Sequence, residues 1–201
     1  MRKILLTACM LGTALWAQPP SSGGGAGGQS PSTPPTFPES RSAGTATGPG
    51  STPEPMPRKV DDTKFVKESA LGGMAEVEMG KLATQKASSD AVKQFGQRMV
   101  DDHSKANQQL KQAAAKSNIE VPASLDSKHQ SHIDKLAKLS GPEFDKAYLK
   151  DQVKDHEHDV NQFKDEAQNG SDPNVKQFAM ATLPTLQEHL SAVKDLKKAA
   201  K

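Results

Sequence analysis

From Asp61 to the C-terminus, apolar residues recur at intervals of three and four, in four long stretches and one short one. This is the spacing of one face of an α-helix, and it restricts the fold more than any other feature of the chain. The first stretch, Asp62 to Ala87, turns Phe65, Ser69, Gly72, Glu76, Met79 and Ala83 inward, with Val66, Ala70, Gly73, Val77 and Gly80 on the flank. Its small residues permit close approach of a neighbouring backbone at a cost in helix propensity. A second helix follows the cap Ser88-Ser89-Asp90 and carries Val92, Phe95, Met99, His103, Ala106, Leu110 and Ala113. The loop Asn118 to Pro122 ends it, and a short helical segment, Asp126 to Ser140, presents Ile133, Leu136 and Leu139. A third long helix opens at Gly141-Pro142, with proline in the first turn, and aligns Leu149, Val153, His156, Val160, Phe163 and Ala167. Asn169-Gly170 stops it and Ser171-Asp172-Pro173 caps the fourth, whose stripe is Val175, Phe178, Thr182, Leu186, His189, Val193 and Leu196. Pro184 predicts a kink there, because its ring removes a backbone hydrogen bond. The predicted fold is all-α: a ferritin-like four-helix bundle with a short extra helix between helices two and three, over residues 61–201.

Composition agrees. Aromatic residues make up 4% of the chain, which suits helices packed through Leu, Val, Met and Ala better than a β-sandwich. A formal charge of +2 supplies no basic stripe, so no nucleic-acid partner is expected. Lysines alternate with acids in the pattern of a solvated helix face.

Ahead of the bundle the chain reads as an address and a tether. Arg2 and Lys3, then the apolar run Ile4 to Trp16 and the small Ala17, have the order of a signal peptide over residues 1–17. Leu6-Thr7-Ala8-Cys9 offers the alternative of a lipid-modified Cys9. Residues 18–60 hold Gly-Gly-Gly-Ala-Gly-Gly and Ser/Thr/Pro clusters with almost no apolar content, which predicts a disordered linker. The expected location is the periplasm or cell envelope, with peripheral or lipid-mediated association at most and no membrane span in the mature chain. Cys9 is the only cysteine; its loss with the leader leaves neither a disulfide nor thiol chemistry.

Two echoes run through the helices. Met99 to Leu110 and Gln152 to Phe163 share Val, Asp-His and Gln-hydrophobe in register. Ser89-Asp-Ala-Val-Lys-Gln-Phe95 resembles Ser171-Asp-Pro-Asn-Val-Lys-Gln-Phe178 at the starts of helices two and four, and this second echo suggests duplicated helical hairpins.

The chemistry-bearing residues are one per helix. Glu76, His103, His156 and His189 fall on or beside the apolar stripes, and convergence of such groups on a bundle interior is how metal sites are built in ferritin-like folds. A transition metal (Fe, Zn, Mn or Cu) is the cofactor that these donors suit. The competing reading pairs each histidine with an acid across the core. The Glu-x-x-His motif of di-iron sites is missing at all three histidines. Asp102, Asp155 and Glu188, each beside one of them, point elsewhere on their own helix but can accept a hydrogen bond from an imidazole of a neighbouring one. His129, His132 and His158 read as surface histidines. Catalytic and cofactor-binding motifs are not found: there is no nucleophile elbow or P-loop, and the glycines of the linker follow no strand.

Phe65 to Ala83, Val92 to Asn107 with its Met-Val-x-Asp-His, Val153-Lys-Asp-His156 and Leu183-Pro-Thr-Leu-Gln-Glu-His189 resemble a large bacterial family of exported proteins of unknown function. Its members are often labelled predicted outer-membrane proteins. The resemblance spans about Asp61 to Ala199 and implies a ferritin-like bundle outside the cytoplasm, without catalytic residues to transfer. No strand alternation for a membrane barrel is present. The leading functional expectation is a non-enzymatic binding or stress-related module, for which metal binding and core pairing of the histidines are both open. The alternatives are a ferritin-type di-metal oxidase or storage protein, and an envelope interaction module.

Overall fold

A computed structural model describes residues 59–200. The predicted signal peptide and nearly all of the predicted linker lie outside the described residues. Five helices follow in order: α1 (Asp62–Lys86), α2 (Asp90–Lys116), α3 (Ser127–Leu136), α4 (Gly141–Asn169) and α5 (Pro173–Ala199), with no strand among the described residues. Four are long and the short α3 lies between the second and third of them, as the periodicity predicts. The helix limits fall within a residue or two of the sequence signals, except that α3 ends early. Lys138 and Leu139 turn back on the carbonyls of Lys135 and Leu136, a tighter winding that closes the helix at Leu136. α5 runs through Pro184 unbroken. That proline is on the exposed face, where water can hydrate the carbonyl it leaves unbonded. No helix among the described residues is long and apolar enough to cross a membrane.

α1 and α2 form one antiparallel hairpin, α4 and α5 the other. Where α1 meets α2 the approach is glycine-to-glycine: a Cβ on Gly80 would stand 2.6 Å from the carbonyl oxygen of Gly96. Cross-links fix the register between hairpins. Glu68 meets Gln162 and Glu76 meets Gln152 along α1 and α4, while Arg98 meets Glu188 and Ser117 meets Asp172 along α2 and α5. Both pairs are therefore antiparallel. α2 ends beside the α4–α5 turn, and α4 begins beside the α1–α2 turn, where Gly141 takes a φ of 61° next to Ala87. The connection from Ser117 to Ser140 must run the length of the bundle, and α3 lies along it, packing Ile133 and Leu136 against α1 and α4.

Each hairpin holds the other's turn. Asp145 of α4 accepts hydrogen bonds from Ser88 N, Ser89 N and Ser88 Oγ at 3.0, 2.9 and 2.5 Å. Asp62 of α1 accepts from Ser171 N and Asp172 N at 2.9 and 3.0 Å. One displacement along the chain carries Asp62 onto Asp145, Ser88 onto Ser171, Ser89 onto Asp172 and Phe95 onto Phe178. The duplication suggested by the second echo thus reappears as reciprocal turn clamps. The cap expected at Ser88-Ser89-Asp90 makes no side-chain bond to the first turn of α2; the Asp145 carboxylate instead fixes the two residues that lead into it.

The core is in two parts. Near the α1–α2 turn, Met79, Ala83, Val92, Phe95, Met99, Phe144, Tyr148, Leu149 and Val193 pack with α3. Toward the other end, Phe65, Val66, Leu110, Phe163, Val175, Phe178 and Leu186 form a second cluster. Between them lies a buried polar layer: Glu76, His103, Gln152, His156 and His189.

Two outcomes test this account. Asp145→Ala strips three donors of one acceptor at a half-buried turn and should cost about 1–3 kcal/mol in denaturant unfolding; a loss near zero would show that water replaces the clamp. The second concerns Glu166, fully buried beside Asp62. Burial, then the hydrogen bond shared with Asp62 and the charges of Asp62, Asp165 and Asp172, push its carboxyl from 4.5 up to about 8. It is protonated in the fold and ionised in the unfolded chain between those values, so its contribution to stability falls as pH rises through that window. Glu166→Gln removes the titration. Its melting temperature should gain on the wild type between about pH 5 and about pH 8, and a pH-independent difference would mean that Glu166 is ionised in the fold.

Candidate metal centre

The polar layer places one imidazole on each of α2, α4 and α5. His103, His156 and His189 are 5%, 0% and 1% exposed. Their rings form a near-equilateral triangle, with centroids 5.7, 5.5 and 5.3 Å apart. One nitrogen from each lies within 4.8 Å of the other two.

The outer partners of the rings determine where their protons sit. His156 Nδ1 is 3.0 Å from the backbone carbonyl of Gln152, which can only accept, so Nδ1 carries the hydrogen and Nε2 the lone pair. His189 Nε2 is 2.8 Å from Asp102 Oδ2, which places hydrogen on Nε2 and the lone pair on Nδ1. These two lone pairs face each other at 3.3 Å. His103 Nε2 is buried and has no hydrogen-bond partner among the described residues. The lone pairs of His156 and His189 therefore face one another, with no positive charge between them among the described residues.

Protonation does not supply that charge near neutral pH. Burial, with the neighbouring rings His156 and His189, holds His103 well below 6.5. Burial and His189 bring His156 down to about 4. Burial also lowers His189, although the hydrogen bond to Asp102 opposes it. Neutral imidazoles are the ligand form. Two ligands each about 2.0–2.1 Å from a tetrahedral ion stand about 3.3 Å apart, which is the separation of His156 Nε2 and His189 Nδ1. Metal-bound histidines commonly donate their other N–H to a carboxylate or backbone carbonyl, as His189 and His156 do here. The donor set fits a transition-metal ion.

Glu76 is buried on the inner face as its position predicts, but it is not in the group of mutually close donors. Gln152 Nε2 donates to its Oε2 at 2.6 Å. Burial raises its carboxyl well above 4.5 against the effect of that hydrogen bond, and the charges of Asp155, Asp159 and Asp151 push it the same way. Gln152 thus serves two groups, holding Glu76 with its side chain and His156 with its carbonyl. Tyr148 Oη and Gln152 Oε1, buried in the same layer, have no partner among the described residues.

The family model described as a domain of unknown function, DUF4142, matches residues 46–196. The chain belongs to that family. Among solved structures, a Streptomyces coelicolor protein described as a candidate secreted protein, DUF305, matches with a TM-score of 0.59 at 14% identity, over 69% of this chain and 91% of that one. The likeness is one of fold. No curated protein matches the chain.

Of the acids flanking the histidines, Asp102 of this DUF4142 domain makes the expected cross-helix bond, to His189. Glu188 instead meets Arg98 Nη2 at 2.7 Å. His129 and His132 lie outside the group, paired with Asp126 and Asp151. Sequence reasoning missed Gln152 and Arg98. Gln152 stands one turn before His156, where its carbonyl meets an inward ring, a relation that helix geometry alone provides. Arg98 one turn before Asp102 is an i, i+4 pair visible in the sequence.

The unpartnered Nε2 of His103 yields a stability test. A buried polar atom without a partner costs about 1–3 kcal/mol. In metal-free protein, His103→Leu should therefore be neutral or stabilising by about 1 kcal/mol in thermal or denaturant unfolding. A loss of several kcal/mol would reveal a hydrogen bond through His103 and would favour core pairing.

Proposed function

We propose that this protein is an exported, non-enzymatic metal-binding module of the cell envelope, and that His103, His156 and His189 hold one transition-metal ion. The observation that carries the reading is the meeting of three buried imidazoles: the outer hydrogen bonds of His156 and His189 turn two lone pairs toward each other, and His103 brings a third ring whose Nε2 has no partner among the described residues. An all-nitrogen set of three suits Zn, Cu, Fe or Ni ions, and three protein ligands leave a fourth position for water or a small ligand. The single long crossover between α2 and α4 supports the ferritin-like reading of the bundle. The di-metal alternative gains less support. Such centres use bridging carboxylates from several helices, whereas Glu76 is engaged with Gln152 and the near donors are imidazoles. Export rests on the signal-like order of residues 1–17, and the secreted description of the DUF305 structure is in keeping with it. Residues 18–60 would act as a tether that lets the bundle work at a distance from a surface.

The experiment is metal titration of purified protein. One equivalent of Zn²⁺ is expected to bind and to raise the melting temperature, as any ligand of the folded state alone must. His156→Leu and His189→Leu should abolish it, and Glu76→Gln should retain one equivalent. Retention of metal by both histidine variants would defeat the assignment. Two equivalents, with the second lost on Glu76→Gln, would restore the di-metal reading.

A further inference from the structure

The histidines are enclosed, so an ion must reach them through the wall of the bundle. His189 is linked to the surface through Asp102, whose side chain is 34% exposed. The Asp102 Oδ2 that accepts from His189 Nε2 also accepts from Arg98 Nε at 3.2 Å. The other arm of the guanidinium, Nη2, reaches Glu188 Oε2 across the α2–α5 seam at 2.7 Å. Arg98 is 41% exposed and Glu188 68%. A cation of the protein's own is thus lodged between two carboxylates, one of them bonded directly to a ring of the triangle. Withdrawal of Arg98 would leave Asp102 and Glu188 as a pair of surface oxygen donors next to the buried nitrogen donors. Carboxylate oxygens take up hydrated divalent ions readily, and imidazoles hold the later first-row ions more tightly. The carboxylates lie on the N–H side of His189, so an ion received there passes the edge of that ring to reach the nitrogen lone pairs.

We propose that the α2–α5 seam at Arg98, Asp102 and Glu188 is the loading port of the histidine site. Asp102 and Glu188 receive the incoming divalent cation, and Arg98 holds the port closed until the ion displaces it. The proposal rests on the reading of His103, His156 and His189 as a metal site. It gives Arg98 a gating role, distinct from ligation: the guanidinium is excluded as a ligand by its charge, and its fork spans both acids where a lysine ammonium meets one at a time.

Stopped-flow uptake of Co²⁺, followed by the visible absorption of the four-coordinate ion, tests it on the full-length protein. Arg98→Gln should accelerate uptake on the order of tenfold, the range in which local charge alters association rates, with one equivalent still bound at the end. Arg98→Lys should fall between it and the wild type. In the Arg98→Gln background, where the latch is already open, Glu188→Gln should slow uptake several-fold. Lys81→Gln makes the same change of net charge on α1, away from the seam, and should leave the rate unchanged. Equal rates in wild type and Arg98→Gln would overturn the gate, as would equal acceleration by Lys81→Gln. An Arg98→Gln rate unaffected by Glu188→Gln would overturn the receiving role of the carboxylates. A wild-type protein that takes up neither Co²⁺ nor Zn²⁺ would instead remove the metal site itself.

Discussion

Everything in this bundle is arranged around an interruption of its own core. A continuous apolar seam would stabilise a protein of this size better than a layer of three histidines, a glutamate and a glutamine. Each buried polar atom without a partner costs free energy that the rest of the fold must offset. The apolar clusters on either side supply that offset, with Phe65, Phe163 and Phe178 at one end and Phe95, Phe144 and Tyr148 at the other. Tight helix approach at Gly80 and Gly96 brings α1 and α2 together beside Met99 and Ala83 of the first of these clusters. The polar layer is thus held by packing on both sides, and within it Gln152 fixes Glu76 and His156.

The duplication clarifies which features serve the scaffold. The clamps Asp62 and Asp145 occur in both halves at equivalent positions and perform the same task on opposite turns. So do Phe95 and Phe178, one in each apolar cluster. The histidines do not repeat. The same displacement that superposes the clamps sets Leu186 opposite His103, Gly73 opposite His156 and Ala106 opposite His189. Symmetry is kept where it stabilises the fold and is broken at the three positions where imidazoles converge. The echo between the segments around His103 and His156 relates α2 to α4, which the hairpin duplication does not pair. It is a local likeness between two ring-bearing turns.

Periodicity made the helices legible because an amphipathic stripe reports which face is buried, and the caps report where it stops. It did not report depth. Whether four inward residues on four helices meet at one level depends on turn lengths and on the register set by cross-helix bonds such as Glu68 to Gln162, which no single stripe contains. For this reason His103, His156 and His189 meet while Glu76, equally inward by its spacing, is engaged one step aside by Gln152. The stripe on α1 also drifts. Ser69 and Gly72 are only partly buried, while Leu71 and Ala75 go inside, because α1 packs against α2, α3 and α4 and its buried arc is wider than one stripe. Asp145 and Glu166 escaped sequence reading altogether. Both lie on α4 among many acids of a charged helix, and only the neighbouring turn distinguishes them.

If the three histidines hold an ion, as proposed, the order of folding and metal binding follows from the same layout. Small metal-dependent domains such as zinc fingers lack a core that holds their ligands in place, so binding and folding are one event. Here the ligands are carried on helices of 27 to 29 residues whose packing is supplied mainly by the two apolar clusters. On that reading the triangle would exist before an ion arrived, with the tautomers of His156 and His189 already set by Gln152 and Asp102. A preformed site of this kind gains affinity because little is left to order on binding. It also becomes inaccessible for the same reason. Rigid walls around three buried imidazoles would keep an ion out as effectively as they kept it in, so exchange would depend on whichever part of the wall is held by exposed charges and not by buried apolar contacts. The proposed port meets that requirement, since beside His189 the contacts are those of Arg98, Asp102 and Glu188, all partly exposed.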